Sequence, residues 1–191
     1  MSEIKRKRPK VTGDDRLPGD ADRETMIERM IRVDHAGEFG AARIYKGQLA
    51  VLGKTPVGDT IRHMAKQEEA HLAAFEELLA ERRVRPTMLS PIWHAAGFAL
   101  GAATAAMSAK AAMACTVAVE DVIQDHYAEQ SAKLGDDEAE LRDLIDRFRA
   151  EEIEHKETGI AYKAEETPGY RVMSEFIKTG TRAAIWLSTR I

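Results

Sequence analysis

Cysteine is almost missing from this chain: Cys115 is the only one in 191 residues. A single thiol excludes an internal disulfide and a thiolate zinc site, and it fits a reducing compartment. A surplus of one charge is missing too. Lys and Arg number 28 against 32 Asp and Glu, a net charge of −4, so there is no clustered basic surface to suggest nucleic acid. No glycine-rich fingerprint follows a strand-like segment, which excludes a dedicated nicotinamide-nucleotide domain. No apolar leader follows the opening MSEIKRKRPK, so no signal peptide is expected. The acidic residues just beyond it argue against a transit peptide. These absences point to a cytosolic protein. Hydrophobic residues at 44% and a length sufficient for one sizeable core indicate an ordinary globular chain.

Residues 1–19 combine a basic run (Lys5, Arg6, Lys7, Arg8, Lys10) with Pro9, Gly13, Pro18 and Gly19. Such a stretch buries too little apolar surface to order itself and reads as a solvated tail. Its alternative role is attraction to anionic lipid. Residues 20–191 read as one all-α domain. From Asp22 to about Leu52, apolar positions recur at helical spacing, and Gly53 and Pro56 end the run. A second helix is predicted over about 58–84, a third pattern leads through Met113 and Ile123 towards Gly135, and a fourth runs from Leu141 to Tyr162.

Charged residues interrupt these apolar stripes where leucine is expected. Glu38 and Glu120 each stand alone on a stripe, while Glu68–His71 and Glu152–His155 form two Glu-x-x-His tetrads. Glu38 to Glu68 is 30 residues and Glu120 to Glu152 is 32, so one helix-pair motif is stated twice. An unpaired carboxylate on a core face costs several kcal/mol, so each must be paired, protonated or coordinated. A Glu and a His three apart on a helix project to the same side. Four carboxylates and two imidazoles facing inward from four helices are the ligand set of a di-iron or di-manganese site. Glu68 and Glu152 are the expected bridges, with Glu38 and Glu120 terminal. Hard oxygen donors with imidazole favour iron or manganese over zinc or copper. The neighbouring Glu69, Glu151 and Glu154 lie off the stripes and are expected to face solvent. Asp34, one turn before Glu38, is placed to hold a ligand histidine.

Between the halves, Ile92–Val119 carries one formal charge, Lys110, in 28 residues. That passes the length test for a membrane span. Alanine and glycine dominate it, however, and Glu120 follows at once, so a crossover helix over 86–107 is the preferred reading. Ser90-Pro91 supplies an N-cap and first-turn proline. Gly97, Gly101 and Ala105 form a small-xxx-small row suited to close backbone contact. Its remaining face is expected to meet lipid, a quinone-like ligand or another subunit. After Thr167-Pro168-Gly169, residues 168–191 mix basic residues with Phe176, Trp186 and aliphatics. They suit either a helix lying on a membrane surface or one docked on the bundle.

The strings DHAGEFGA (34–41), QEEAH (67–71), VEDVIQDHY (119–127) and EEIEHKE (151–157) resemble the demethoxyubiquinone hydroxylases of ubiquinone biosynthesis. That resemblance covers about 22–191. It implies a ferritin-like four-helix bundle with an apolar crossover and a C-terminal amphipathic helix. It implies two iron ions at the six positions named above, and O2-dependent hydroxylation of a polyprenylated demethoxybenzoquinone or quinol. NADH or the quinol itself would supply electrons. It further implies peripheral attachment to the cytoplasmic face of a bacterial inner membrane, or to the mitochondrial inner membrane in a eukaryote. His126 and Tyr127 fall where the family has a His-Tyr pair beside the substrate ring. Asp121 departs from the glutamate more usual there. A homo-oligomer or a lipid-binding helper protein is a further possible partner. The competing class is iron storage or peroxide scavenging, as in ferritins and rubrerythrins. Those share the ligand logic but need neither the apolar stretch nor the basic amphipathic tail, and a rubredoxin-like module would need four cysteines.

Overall fold

A computed structural model describes residues 21–191; the basic run expected as a tail over 1–19 lies outside the described residues. Asp22 opens α1 (Arg23–Leu52) by accepting a hydrogen bond from the Thr25 amide at 2.7 Å, which satisfies a donor that the first turn leaves orphaned. Gly53 closes the helix with its N–H on the Leu49 carbonyl, and a turn through Pro56 leads into α2 (Gly58–Glu81). There follow α3 (Ser90–Met107), α4 (Ala109–Ser131), α5 (Ala139–Ala161) and α6 (Tyr170–Ser188), with 3₁₀ turns at Asp136–Glu138 and Ala164–Glu166. No strand occurs among the described residues, so the fold is all-α.

Cross-helix contacts set the directions. Arg62 reaches the Gly53 carbonyl while His71 lies against Glu38, so α1 and α2 are antiparallel. Gly159 sits on Met113 while Arg149 donates to the Gln124 carbonyl, so α4 and α5 are antiparallel. Gln48 lies against Ala112 and Gln130 against Asp34, which pairs α1 with α4. Phe75 meets Phe148 and Thr60 meets Tyr162, which pairs α2 with α5. The result is a ferritin-like bundle of α1, α2, α4 and α5, with α3 returning the chain parallel to α1.

The crossover is seated by backbone contact. A Cβ added to Gly101 would lie 2.0 Å from the Ile44 carbonyl oxygen, and one on Gly97 would lie 2.9 Å from the Gly40 oxygen. The predicted small-residue row therefore faces α1, which answers with Gly47, where a Cβ would come within 2.2 Å of the Phe98 oxygen. Ile92, Phe98 and Met107 are left exposed on the other side. The long apolar segment is broken at Ser108, whose extended backbone ends α3 and whose Oγ accepts from the Ala111 amide to start α4. No described helix is long and apolar enough to cross a membrane. The start of α3 differs from expectation: Ser90 is already helical and does not cap. Its Oγ donates to the Thr87 carbonyl, while the Thr87 hydroxyl accepts from the Leu89 amide.

Of the two expectations for the C-terminal segment, docking on the bundle is the one that α6 displays. Ser174 and Ile177 are buried against the bundle. Lys178 Nζ lies 2.6 Å from Asp121 Oδ2, and Lys156 of α5 pairs with the other oxygen. Asp121, the departure from the family pattern, thus ties α4, α5 and α6 together. Trp93 Nε1 donates to Ser188 Oγ at 3.0 Å, fastening the end of α6 to the start of α3. Val172, Phe176 and Trp186 face outward at 78%, 78% and 55% exposure.

Gly101→Ala is expected to lower stability by about 1–3 kcal/mol through overpacking against Ile44. Urea unfolding checks this, and an unchanged midpoint would mean that α3 does not sit on α1 as described.

Candidate metal centre

All six residues predicted as ligands meet at the bundle centre. Glu38, Glu68, His71 and Glu152 form one group, and Glu68, Glu120, Glu152 and His155 form another; within each, one ligand atom per residue lies within 4.8 Å of all the others. Both groups are buried and each could hold a metal ion. Glu68 and Glu152 belong to both groups, the position of a bridging carboxylate, while Glu38 and Glu120 each belong to one. His71 Nδ1 lies 3.0 Å from Glu152 Oε1 and 3.4 Å from Glu38 Oε2. His155 Nδ1 lies 3.1 Å from Glu68 Oε1 and 3.0 Å from Glu152 Oε2.

A surrounding layer repeats the two-fold pattern of the chain. Tyr127 hydroxyl donates to Glu38, and Tyr45 hydroxyl donates to Glu120 at 3.3 Å. Each tyrosine stands seven residues after the lone glutamate of its own helix and reaches across to the other one. Burial and the nearby glutamate charge raise both phenols well above their usual pKa, so both stay protonated donors. Behind the histidines, His71 Nε2 donates to Glu151 Oε2 at 2.9 Å and His155 Nε2 donates to Gln67 Oε1 at 3.1 Å. Gln67 Nε2 donates in turn to Glu151 Oε2 at 3.3 Å. This arrangement turns Nδ1 of each ring inward, as an outer hydrogen bond does for a ligand histidine.

Two expectations are corrected. Glu151 does not face solvent freely: it precedes Glu152 on the α5 flank turned towards α2, and that antiparallel seam brings it over His71. Glu69 and Glu154 are exposed as expected. Asp34 does not hold a ligand histidine. The α1–α4 pairing sets it against the far end of α4, where it accepts from Gln130 at 2.8 Å and lies 3.3 Å from His126. Gln67, Glu151 and Tyr45 were missed. For Tyr45 the signal was available in the Glu38–Tyr45 and Glu120–Tyr127 spacing.

The donors present fit cations. Three buried atoms aimed at the centre, Glu68 Oε1, His71 Nδ1 and Glu152 Oε1, have close ionisable neighbours but no well-directed hydrogen bond, whereas buried polar atoms are nearly always satisfied. Burial, reinforced by the charge of Glu152, raises Glu68 and Glu120 well above the usual carboxylate range. Burial lowers the His71 pKa, but its contacts with Glu152 and Glu38 outweigh this and push it up to about 12. Two divalent ions would neutralise the four carboxylates, which removes the repulsion that these shifts record.

An apolar cavity of about 340 Å³ lies on the other side of α1 and α4, roofed by α3 and α6. Gly37, Ile44, Trp93, Val119, Ile123 and Ile177 are among its walls, and Gly37 and Val119 adjoin Glu38 and Glu120 in the chain. His126 and Tyr127 are not in its lining, but Ile123 stands one turn before Tyr127. Tyr127 is buried, and His126 is partly exposed and held by Asp34 and Gln130.

Single-glutamate helices paired with Glu-x-x-His helices around one buried cluster define the class of ferritin-like carboxylate proteins. Within that class, the chain belongs to the family described as ubiquinone biosynthesis protein COQ7, which it matches over residues 25–188. It is 54% identical over 181 residues to the 3-demethoxyubiquinol 3-hydroxylase of Rhodospirillum rubrum, covering 94% of this chain and 85% of that protein. It is 58% identical over 169 residues to a Dictyostelium discoideum protein named NADPH-dependent 3-demethoxyubiquinone 3-hydroxylase, mitochondrial, covering 87% and 78%. With the 5-demethoxyubiquinone hydroxylase, mitochondrial, of Saccharomyces cerevisiae it shares 42% identity over 182 residues, covering 86% and 78%.

Metal-free protein is expected to gain stability with Fe(II) or Mn(II), by about 2.7 kcal/mol per site at a hundredfold excess over Kd. Thermal unfolding with and without a chelator measures this; an unchanged midpoint would refute a metal-holding cluster.

Proposed function

We propose that this chain hydroxylates the ring of a polyprenylated demethoxybenzoquinone or its quinol, using O2, at two iron ions held by Glu38, Glu68, His71, Glu120, Glu152 and His155. The observation that carries this reading is the six-residue cluster beside an apolar cavity whose walls include Gly37 and Val119, the chain neighbours of Glu38 and Glu120, in a chain of this family. Iron bound there would supply O2 activation and the one-electron steps that carbon hydroxylation needs. The chain's own residues do the rest. Glu68 and Glu152, which belong to both groups, would be shared between the ions, and Glu38 and Glu120 would each hold one, each steadied by a tyrosine from the opposite half. The cavity takes the prenylated end of the substrate and excludes water. The ring lies at its end towards His126 and Tyr127, which orient it.

The substrate is water-insoluble, so the chain meets it at a membrane surface. The outward apolar residues of α3 and α6 make that contact, with Arg182 and Arg190 of the α6 region facing anionic headgroups. This gives peripheral attachment to an inner membrane. NADH, NADPH or the quinol supplies electrons; the names of several relatives specify NADPH.

The deciding experiment loads purified protein anaerobically with Fe(II), counts the iron, then adds O2 and a short-chain demethoxyquinol. Two irons per chain and a product heavier by one oxygen are expected, and Glu120→Ala should stay helical with at most one tightly held iron. Two irons with ferric mineral or peroxide loss, and no hydroxylation, would move the function to the ferritin class. Ala184→Trp, which fills the cavity wall on α6, should raise KM for a prenylated substrate several-fold while leaving the iron count at two. An unchanged KM would take the substrate out of this cavity.

A further inference from the structure

The two halves of the cluster match closely enough that their differences can be read one by one. Each lone glutamate takes a hydroxyl from the other half's tyrosine. Ten residues after each lone glutamate stands a glutamine, Gln48 or Gln130, that reaches the residue four before the other one, Thr116 or Asp34. Each ligand histidine donates its outer N–H to the residue just before the other half's bridging glutamate. The correspondence breaks at that last point: the acceptor behind His71 is the Glu151 carboxylate, and the acceptor behind His155 is the Gln67 amide. A further break falls on the same side, where Asp34 stands at the counterpart of Thr116 and lies 3.3 Å from His126 Nε2.

We infer that the two metal positions are unequal, the one at Glu38 and His71 taking its divalent ion first and holding it more tightly than the one at Glu120 and His155. This rests on reading the cluster as a dinuclear metal site. The inner donors cannot supply the difference, since each position has one lone glutamate, one histidine and both shared carboxylates. The outer acceptors can. A carboxylate accepting from an imidazole N–H makes the opposite nitrogen a stronger donor and fixes its direction, and charge-assisted hydrogen bonds are about twice as strong as neutral ones. Gln67 cannot play that part for His155, because its oxygen is a neutral amide and its nitrogen is already given to Glu151. Glu151 therefore acts on one position directly and on the other through Gln67. With four carboxylates balancing two divalent ions, it also leaves surplus negative charge beside His71. Gln67 and Glu151 are positioning residues, acting on the metals through the histidines.

The test titrates metal-free full-length protein anaerobically with Co(II), read by calorimetry and by the d–d absorption bands. Wild type is expected to fill in two steps, the first at least about tenfold tighter, with one mononuclear spectrum at one equivalent. Glu151→Gln, which keeps shape and removes charge, should weaken the first step by about 10–100-fold, shift that spectrum and largely spare the second step. Gln67→Glu, which puts a carboxylate behind His155, should tighten the second step and bring the two together without altering the first spectrum. Two equal steps in wild type would overturn the inequality while leaving the dinuclear site standing, as would a first step unmoved by Glu151→Gln. A second step unmoved by Gln67→Glu would overturn it on a variant that keeps Glu151. Failure of wild type to bind two ions would overturn the metal-site reading and the inequality with it.

Discussion

Four carboxylates and two imidazoles are packed out of water within a few ångströms of one another, and the rest of the structure answers to that arrangement. Burying one unpaired carboxylate costs several kcal/mol, and neighbouring carboxylates raise one another's pKa further. Such a cluster persists only where each side chain is held in a direction that lets it share cations and hydrogen bonds. Four helices are needed because no single helix face can present six donors to one point. They must run antiparallel in pairs for Glu38 and Glu120 to come opposite two Glu-x-x-His turns. Tyr45 and Tyr127 then fix the lone glutamates, and Gln67 and Glu151 fix the histidines. The crossover follows from the same demand. A chain that supplies two such helix pairs must return along the bundle, and α3 does so against α1 where glycines on both helices remove the Cβ atoms that would hold it off.

What the sequence revealed was what repeats at helical spacing. The six cluster residues interrupt apolar stripes in two matching halves, so their convergence could be read without coordinates. The crossover and the row Gly97, Gly101, Ala105 were legible for the same reason. What lay beyond reach depends on which flank of one helix faces which flank of another. Glu151 stands one residue off its stripe, a position that is solvent in an isolated helix and a seam once α2 packs beside α5. Asp34 was placed correctly relative to Glu38 along α1, but its partner was settled by the antiparallel register with α4, which periodicity does not encode. Ser90 looked like a cap because serine before proline usually is one, and Thr87 took over the turn's hydrogen bonding. The division of the apolar run into a crossover and a following helix was legible, but the break itself, at the extended backbone of Ser108, was not.

The two sides of the cluster are built from different chemistry, and this separation constrains how a substrate can approach. On the α2–α5 side the outer ring nitrogens are occupied by Gln67 and Glu151, a polar seam that holds the donors still, and His71 stacks on Phe148. On the α1–α4 side the adjoining residues are Gly37, Val119 and Ile123, and beyond them lies the cavity, partly covered by α3 and α6. A small, water-soluble reductant or oxidant has no need of such walls, whereas a ring carrying a long hydrocarbon chain does. The same two helices that roof the cavity also turn Ile92, Phe98, Phe176 and Trp186 outward, so one apolar layer has the cluster on its inner side and an exposed hydrophobic face on its outer side. Between that outer face and the carboxylates lie α3 and α6, the cavity, and then α1 and α4. The contacts of Lys178 with Asp121 and of Trp93 with Ser188 hold that layer on the bundle.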